Sequence, residues 1–370
     1  MSILKDKLEK AGLRSSRPHQ PRSKGKKGYY GFDDKDKVWP LPKEIKGFFS
    51  SQKYFFGDHF GLNFYHYLPY KNEKFELEKD KSKLLKEIGS SLKDTRSLLT
   101  ALQQRQNLIL EPEKFKCWKA EFKTISRLII GQGQQTPLEV GVTIHHTYGI
   151  PYIPGSALKG LTRHYWLDEL ATEYEISPLE LEDLKKRGLD NPSPYERFES
   201  LVSQAAWPEL INNEARRKRA KKALEAIYNE LKEEKSNLPE MKEILERARL
   251  FSLAFGSQQH RGRIIFLDAF PLELRQPFEL DIINCHHQDY YTSREDKPQA
   301  PAEWDQPVPV FFLVLKPGVR FKVVLSYQGC EVDNHSELLE VTQGYLKRAL
   351  EEWGIGGKTM LGYGCLKCTA

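Results

Sequence analysis

Residues 149–163 read Gly-Ile-Pro-Tyr-Ile-Pro-Gly-Ser-Ala-Leu-Lys-Gly-Leu-Thr-Arg, and few stretches of the chain leave the backbone so little choice. A proline disfavours helix in the residue before it, so Pro151 and Pro154 hold the approach extended. Gly155 permits a tight bend, and Ser156 is suited to N-cap the helix that follows. A helix start carries unpaired N–H groups with the positive end of the dipole behind them. Lys159 and Arg163, four apart, fall on one helix face, expected to look into solvent. The pattern predicts a phosphate-binding corner at Ser156, Lys159 and Arg163. It also suits an ordinary capped surface helix, and the rest of the chain must decide.

Around this stretch the apolar periodicity sets an order of elements. Residues 119–130 alternate through Phe122, Thr124, Ser126, Leu128 and Ile130 as a strand does, and Val140, Val142 and Ile144 make a second short run. After the helix at 155–170 comes a charged helical insertion, residues 171–255. Residues 263–270 then read as a strand, and 308–315 with 319–327 as a hairpin around Lys316-Pro317-Gly318. A helix capped by Ser336 runs to Trp353 and ends at Gly354, and residues 360–368 form a last strand. The fold class is α+β, with a ferredoxin-like βαββαβ core of the kind found in RNA-recognition modules.

Ahead of that core lie two further regions. Residues 1–45 form a basic arm without apolar period, expected to order only on a partner. Residues 1–30 hold nine Lys or Arg against two acids, leaving 48 bases and 49 acids elsewhere, so the net charge of +6 belongs to the arm. Such an arm suits phosphate backbones. Residues 46–114 are aromatic from Phe48 to Tyr70 and then helical from about Glu78 to Gln106. The longest apolar run, Val308–Leu315, is too short to span a bilayer, no hydrophobic leader is visible, and five cysteines make no disulfide framework. These features predict a cytoplasmic protein without membrane contact.

The chemistry-bearing motifs point to binding. Gly354-Ile-Gly-Gly-Lys-Thr places Glu352 where a nucleotide P-loop needs its first glycine, but Gly356, Gly357, Lys358 and Thr359 can cradle an RNA phosphate. His145-His146 and His286-His287 are adjacent pairs, which point to opposite sides of a strand and do not chelate together. Cys365 and Cys368 form a lone C-x-x-C, and no carboxylate cluster suits a two-metal nuclease. No catalytic residue, metal or cofactor is assigned. His145 and His146 are placed against RNA bases, Arg261 and Arg263 against phosphates, and Tyr290 and Tyr291 in a loop where rings can stack on bases. The basic run 216–222 suits a solvated helix face.

The stretch 149–160, preceded by Leu138-Glu-Val-Gly141 and His145-His-Thr-Tyr148, resembles the RAMP superfamily of CRISPR effector subunits. Leu267-Asp-Ala-Phe-Pro271, His286-His-Gln-Asp-Tyr-Tyr291 and the terminal glycine-rich loop narrow the resemblance to type III-B (Cmr) complexes, over about residues 115–370. It implies a Cas7-like, RRM-type subunit near the 3′ end of the guide RNA, holding guide and target RNA and using a protruding hairpin. The implied partners are other Cmr subunits: the Cas7-like backbone, the small subunit and a neighbouring RAMP subunit. The leading expectation is a non-catalytic guide-binding scaffold. Two alternatives stay open: a metal-independent guide-processing endoribonuclease using histidine, and a protein–protein cap with little RNA contact.

Overall fold

The computed structural model describes residues 59–109 apart from 69, 71–76, 78–79 and 93–94, then 116–178, 192–293, 297, 299–329 and 335–369, with two short strands nearer the N-terminus. Most of the basic arm, and the aromatic run up to residue 58, lie outside the described residues. Contacts divide the chain into two compact units, residues 1–56 with 66–78, and residues 57–65 with 79–370. In the first, β1 (Gly31–Phe32) pairs antiparallel with β2 (Val38–Trp39), and Tyr70 bridges Leu77.

The second unit begins with α1 (Phe60–Tyr65), whose Phe60 stacks on Phe278 at 4.5 Å. The charged helix expected at 78–106 is two helices, α2 (Lys81–Ser90) and α3 (Arg96–Ile109). Asp80 caps the first, accepting from the N–H groups of Ser82 and Lys83. The hydroxyls of Ser90 and Ser91 turn back onto the Glu87 and Ile88 carbonyls, which closes it early. β3 (Lys116–Thr124) follows, shorter at its end than the alternation suggested. Both Leu128 and Ile129 are buried, so the period-2 pattern breaks there, and Leu128 makes only an isolated bridge to Leu315. The run at 140–144 is likewise no strand; Ile144 bridges Pro151 alone.

α4 (Gly155–Glu173) leads into the insertion, which folds as α5 (Pro194–Ser203), a 3₁₀ turn (Trp207–Leu210), α6 (Glu214–Glu234) and α7 (Met241–Phe255). Ser193 opens α5 with a full capping box to Glu196. The strand expected at 263–270 is broken into β4 (Ile264–Phe266) and β5 (Phe270–Pro271), both paired with a later strand. Next come β6 (Phe278–Cys285), the short α8 (Gln288–Thr292), β7 (Val308–Leu315), β8 (Arg320–Tyr327) and α9 (His335–Glu352). The final strand is shorter than expected: a 3₁₀ turn takes Thr359–Leu361, and β9 is Leu366–Cys368.

The central sheet runs β4–β8–β3–β9, with β5 also on β8, and every pairing is antiparallel. Ala120 opposes Val323 and Phe122 opposes Phe321, all buried; α9 packs on β3, β8 and β9, and α4 and α7 on β4 beside them. Burying rings and branched side chains like these stabilises by about 1.5–3 kcal/mol each, so this face fixes the register of β3 against β8. The architecture is a mixed helix-and-strand fold on an antiparallel sheet.

The expected hairpin of 308–315 with 319–327 does not form. β7 pairs along its whole length with β6 as a separate ribbon, while β8 joins the central sheet. Thr124 explains the divergence. Its hydroxyl donates to the Lys316 carbonyl and accepts from Val319 N–H, and its carbonyl accepts from Gly318 N–H. The Lys-Pro-Gly turn is thus held by β3, and it hands the chain from ribbon to sheet. The buried ends of both ribbon strands pack on α2, and Phe312 and Val314 join Ile129 and Val140 in a small apolar cluster. Among the described residues no helix is long and apolar enough to cross a membrane.

Candidate nucleic-acid interface

The start of α4 is built differently from the sequence expectation. Pro154, extended at φ −60° and ψ 137°, is the N-cap, and Ser156 sits inside the helix without a capping role. The anion at this helix start is the protein's own: Asp268 accepts the Gly155 N–H at 2.8 Å. Ile153 and Ala269 exchange backbone hydrogen bonds at 3.0 and 2.8 Å beside it. A Cβ on Gly155 would lie 2.2 Å from the Phe266 carbonyl oxygen, so glycine is needed for the helix to slide under this strand. The break between β4 and β5 is what frees Asp268 and Ala269 to make this clasp. Two motifs far apart in sequence are therefore one structural device, and a negative carboxylate stabilises a helix N-terminus.

Lys159 and Arg163 do share a face, but it is not a free one. Lys159 Nζ donates to the Phe255 carbonyl at 3.1 Å, and burial, with Arg163 and Arg261 nearby, pulls its pKa below the usual lysine value. Arg163 pairs with Glu199 at 2.7 Å, donates to Ser203 at 3.0 Å, and lies 5.5 Å from the centre of the Phe251 ring. It borders an open cleft of about 290 Å³ together with residues 256–259. Arg261 is exposed and donates to Gln328 at 2.7 Å. Arg263 is half-buried, its backbone tying the end of α7 to the end of β8 through Leu253 and Gln328. Lys159, Arg163 and Arg261 thus form a basic corner whose one ion-paired carboxylate among the described residues is Glu199.

The glycine-rich loop faces α4 by another side of that helix. Ala157, Leu161 and His164 line an open cleft of about 590 Å³ with Trp353, Gly354, Gly356 and Thr359. The loop is folded back against the core. Gly357 N–H donates to the Ile129 carbonyl, and a Cβ on Gly356 (φ 99°) would collide with that same oxygen at 2.2 Å. Lys358, left-handed at φ 60°, does not reach outward; its ammonium sits over the rings of Phe312 and Tyr363 at 4.9 and 4.7 Å. Met360 and Leu361 form the exposed tip, 97% and 71% accessible.

The loop is held to the ribbon by residues the sequence did not single out. Tyr363 donates its hydroxyl to Asp281, and Arg127 pairs with Asp281 at 3.3 Å and with Glu279 at 2.5 Å. Burial alone would raise Asp281, but the Tyr363 hydroxyl, the Ile282 N–H and the Arg127 and Lys358 cations hold its carboxyl below the usual range. Tyr363 stands in an obvious Gly-Tyr-Gly, the one local signal that could have marked this anchor.

His145 and His146 separate as neighbours should. His145 stacks on Tyr148 at 4.3 Å and meets Tyr152 and Phe270 at 5.3 and 5.6 Å. Burial lowers its pKa, with Asp268 partly opposing. It lines an open cleft of about 540 Å³ with Arg105, Gln106, Tyr148 and Asp268. His146 is exposed, and its carbonyl accepts from His59 at 3.0 Å. Far along the chain, α8 carries Tyr290 and Tyr291, edge to face at 5.2 Å and 46% and 73% accessible. They lie in the connection between β6 and β7, which also exposes Trp304 and pairs His287 with Asp305 at 3.0 Å. Among the described residues no group of three His, Cys, Asp or Glu side chains could hold a metal ion.

The sequence profile of the RAMP superfamily matches residues 121–367. The CRISPR system Cmr subunit Cmr6 of Pyrococcus furiosus is 34% identical over 255 residues, covering 66% of this chain and 66% of that protein. The match therefore spans just under two thirds of that relative's length. A chain in the cryo-EM structure of the type III-B Cmr-beta bound to cognate target RNA is similar at TM-score 0.46 and 17% identity, covering 78% of this chain and 71% of the other. The crystal structure of Cmr6 from Pyrococcus furiosus gives TM-score 0.35 and 27% identity, covering 69% and 98%. Superpositions this loose support no residue-by-residue correspondence.

Proposed function

The chain belongs to the RAMP superfamily, and from that membership we propose that it is a guide-RNA-binding scaffold subunit of a type III-B Cmr effector complex, placed near the 3′ end of the guide and without a catalytic role of its own. The antiparallel order β4–β8–β3–β9, with α4 and α9 packed together on it, supports reading the core as ferredoxin-like. Its partners on this reading are guide and target RNA, the Cas7-like backbone, the small subunit and a neighbouring RAMP subunit.

The observation that carries the reading is the corner of Lys159, Arg163 and Arg261. Burial first, and Arg163 and Arg261 after it, lower the Lys159 pKa, and Glu199 pairs with Arg163 alone, so an added anion such as a phosphodiester would complete Lys159 and Arg261. Lys159 and Arg261 are the phosphate ligands, and Arg163 braces them through Glu199 and Phe251. The exposed rings of Tyr290, Tyr291 and Trp304 on the ribbon's connecting segment suit stacking on bases, as a protruding hairpin would. His145, held toward its neutral form among aromatic rings, suits base stacking as well.

The test is RNA binding by the full chain carrying Lys159→Ala and Arg261→Ala. Affinity for single-stranded RNA should fall at low salt and converge with the parent protein at high salt. Undiminished affinity in a folded double variant sinks this assignment. Incubation with labelled repeat RNA in EDTA should leave the RNA intact; cleavage that disappears in His145→Ala would instead establish the endoribonuclease.

A further inference from the structure

Arg216, Arg217, Lys218, Arg219, Lys221 and Lys222 occupy six of seven consecutive positions in the first half of α6. Helix N-termini repel cations, since the dipole and the unpaired N–H groups are already positive there. The second half of the same helix holds Glu225, Glu230, Glu233 and Glu234 against Lys232 alone. The charge order of α6 is therefore the reverse of what its own backbone favours. Its packing does not require this: Ala220, Leu224, Tyr228 and Leu231 form the buried stripe, and all six cations are exposed.

The neighbouring carboxylates do not relieve the excess. Glu230 and Glu234 pair with Arg197, and Glu209 pairs with Arg249. Lys218 reaches Glu214 at 3.3 Å in a pair with both side chains largely in water, and Arg217 turns onto the Ile211 carbonyl. Among the described residues, Arg216, Arg219, Lys221 and Lys222 have no ion-pair partner. The exposed apolar positions on this part of the helix are Ala215, Ala223 and Ala226. Insertion into a lipid surface and the hot spots of a protein interface use large apolar or aromatic anchors, and alanines are a poor substitute for them. Arginine and lysine without apolar neighbours suit a polyphosphate.

We propose that the first half of α6 is a second binding surface, for the phosphodiester backbone of single-stranded RNA, separate from the Lys159–Arg163–Arg261 corner. Residues 216–222 span about 9 Å along the helix, and side chains fan from it over a wider arc. Contact is through phosphates alone, so the surface reads no sequence.

The experiment uses the full chain, a fluorescein-labelled oligouridine and anisotropy titrations across a series of KCl concentrations. The variant is Arg216→Gln, Arg219→Gln, Lys221→Gln and Lys222→Gln together. Each phosphate contact on a single strand contributes about 0.7 to the slope of log K against log salt, so losing up to four should flatten it by as much as about 3. Removing cations from the first turns should leave the melting temperature unchanged or raise it. If the quadruple variant nevertheless melts early, Lys222→Glu alone carries the test, with weakened binding at low salt expected. An unchanged slope and affinity in a folded variant overturns the proposal. Running Lys159→Ala with Arg261→Ala in parallel keeps the two sites apart: weakening in that variant alone defeats the α6 surface and spares the function proposed above. Displacement of RNA by polyglutamate at equal charge would also overturn it, in favour of an acidic protein partner.

Discussion

Removing the Asp268 carboxylate tests whether the start of α4 is a clasp or an anion site. Asp268→Ala deletes an acceptor 2.8 Å from the Gly155 N–H. Loss of a capping acceptor costs about 1 kcal/mol, and loss of a carboxylate from a helix N-terminus costs about 0.3–1 kcal/mol more. Asp268 is exposed, so the lower half of the combined range applies, about 1.3–1.6 kcal/mol. Asp268→Asn keeps an oxygen acceptor and loses the charge, so it should cost only the smaller part. Urea unfolding followed by circular dichroism resolves the two variants by their midpoints at constant m-value. A midpoint for Asp268→Ala equal to that of the parent protein refutes the clasp. RNA affinity supplies a second sign: a helix start that served phosphate would bind RNA more tightly once the competing carboxylate is gone. Tighter binding by Asp268→Ala would return the site to the anion corner that residues 149–163 suggested.

Gly155→Ala should prevent correct packing of α4 on β4, because its Cβ would meet the Phe266 carbonyl oxygen at 2.2 Å, whereas Gly160→Ala meets nothing within 4 Å. The second exchange should stabilise by about 0.5–1 kcal/mol, and thermal melts of both report the difference in sign. His260 makes stability fall in acid. Burial, ahead of the opposing Ser252 carbonyl and the assisting Arg263 cation, lowers its pKa, so the unfolded chain takes up the proton first. Stability should be constant above the ordinary histidine value near 6.5 and decline as pH drops through the lowered folded value. His260→Gln should flatten that part of the profile; an unchanged profile would dismiss this assignment.

The order of strands and helices in the core is legible because β3 and α9 carry periodic patterns, and because β8 is a near-continuous apolar run buried on both faces from Val323 to Tyr327. What local pattern cannot convey is which sheet a strand joins. Lys316-Pro317-Gly318 is a good turn whichever way the chain continues, and the hydroxyl of Thr124, nearly two hundred positions earlier, decides it. The same limit governed the site. Spacing makes Lys159 and Arg163 co-facial, but spacing within one helix says nothing of the Phe255 carbonyl, Glu199 or Phe251 packed against them. A glycine-rich loop suits Lys358 to a phosphate, and the rings of Phe312 and Tyr363 that hold it come from outside that pattern or from its far end. Residue type suits Ser156 to the cap; the actual acceptor, Asp268, stands 113 positions after Gly155, whose N–H it accepts.

That separation has a consequence for how the chain tolerates change. The clasp of Ile153 and Gly155 with Ala269 and Asp268 closes a ring that holds α4, the helical insertion after it and β4. The insertion is a ring tied at its neck, and the entropy of closing a ring grows only with the logarithm of its length. Helices could be lengthened, lost or exchanged within that ring while the sheet beneath keeps its register. The neck is the part that must be kept whole, since the Gly155 N–H and the Ile153 backbone meet their partners only in Asp268 and Ala269.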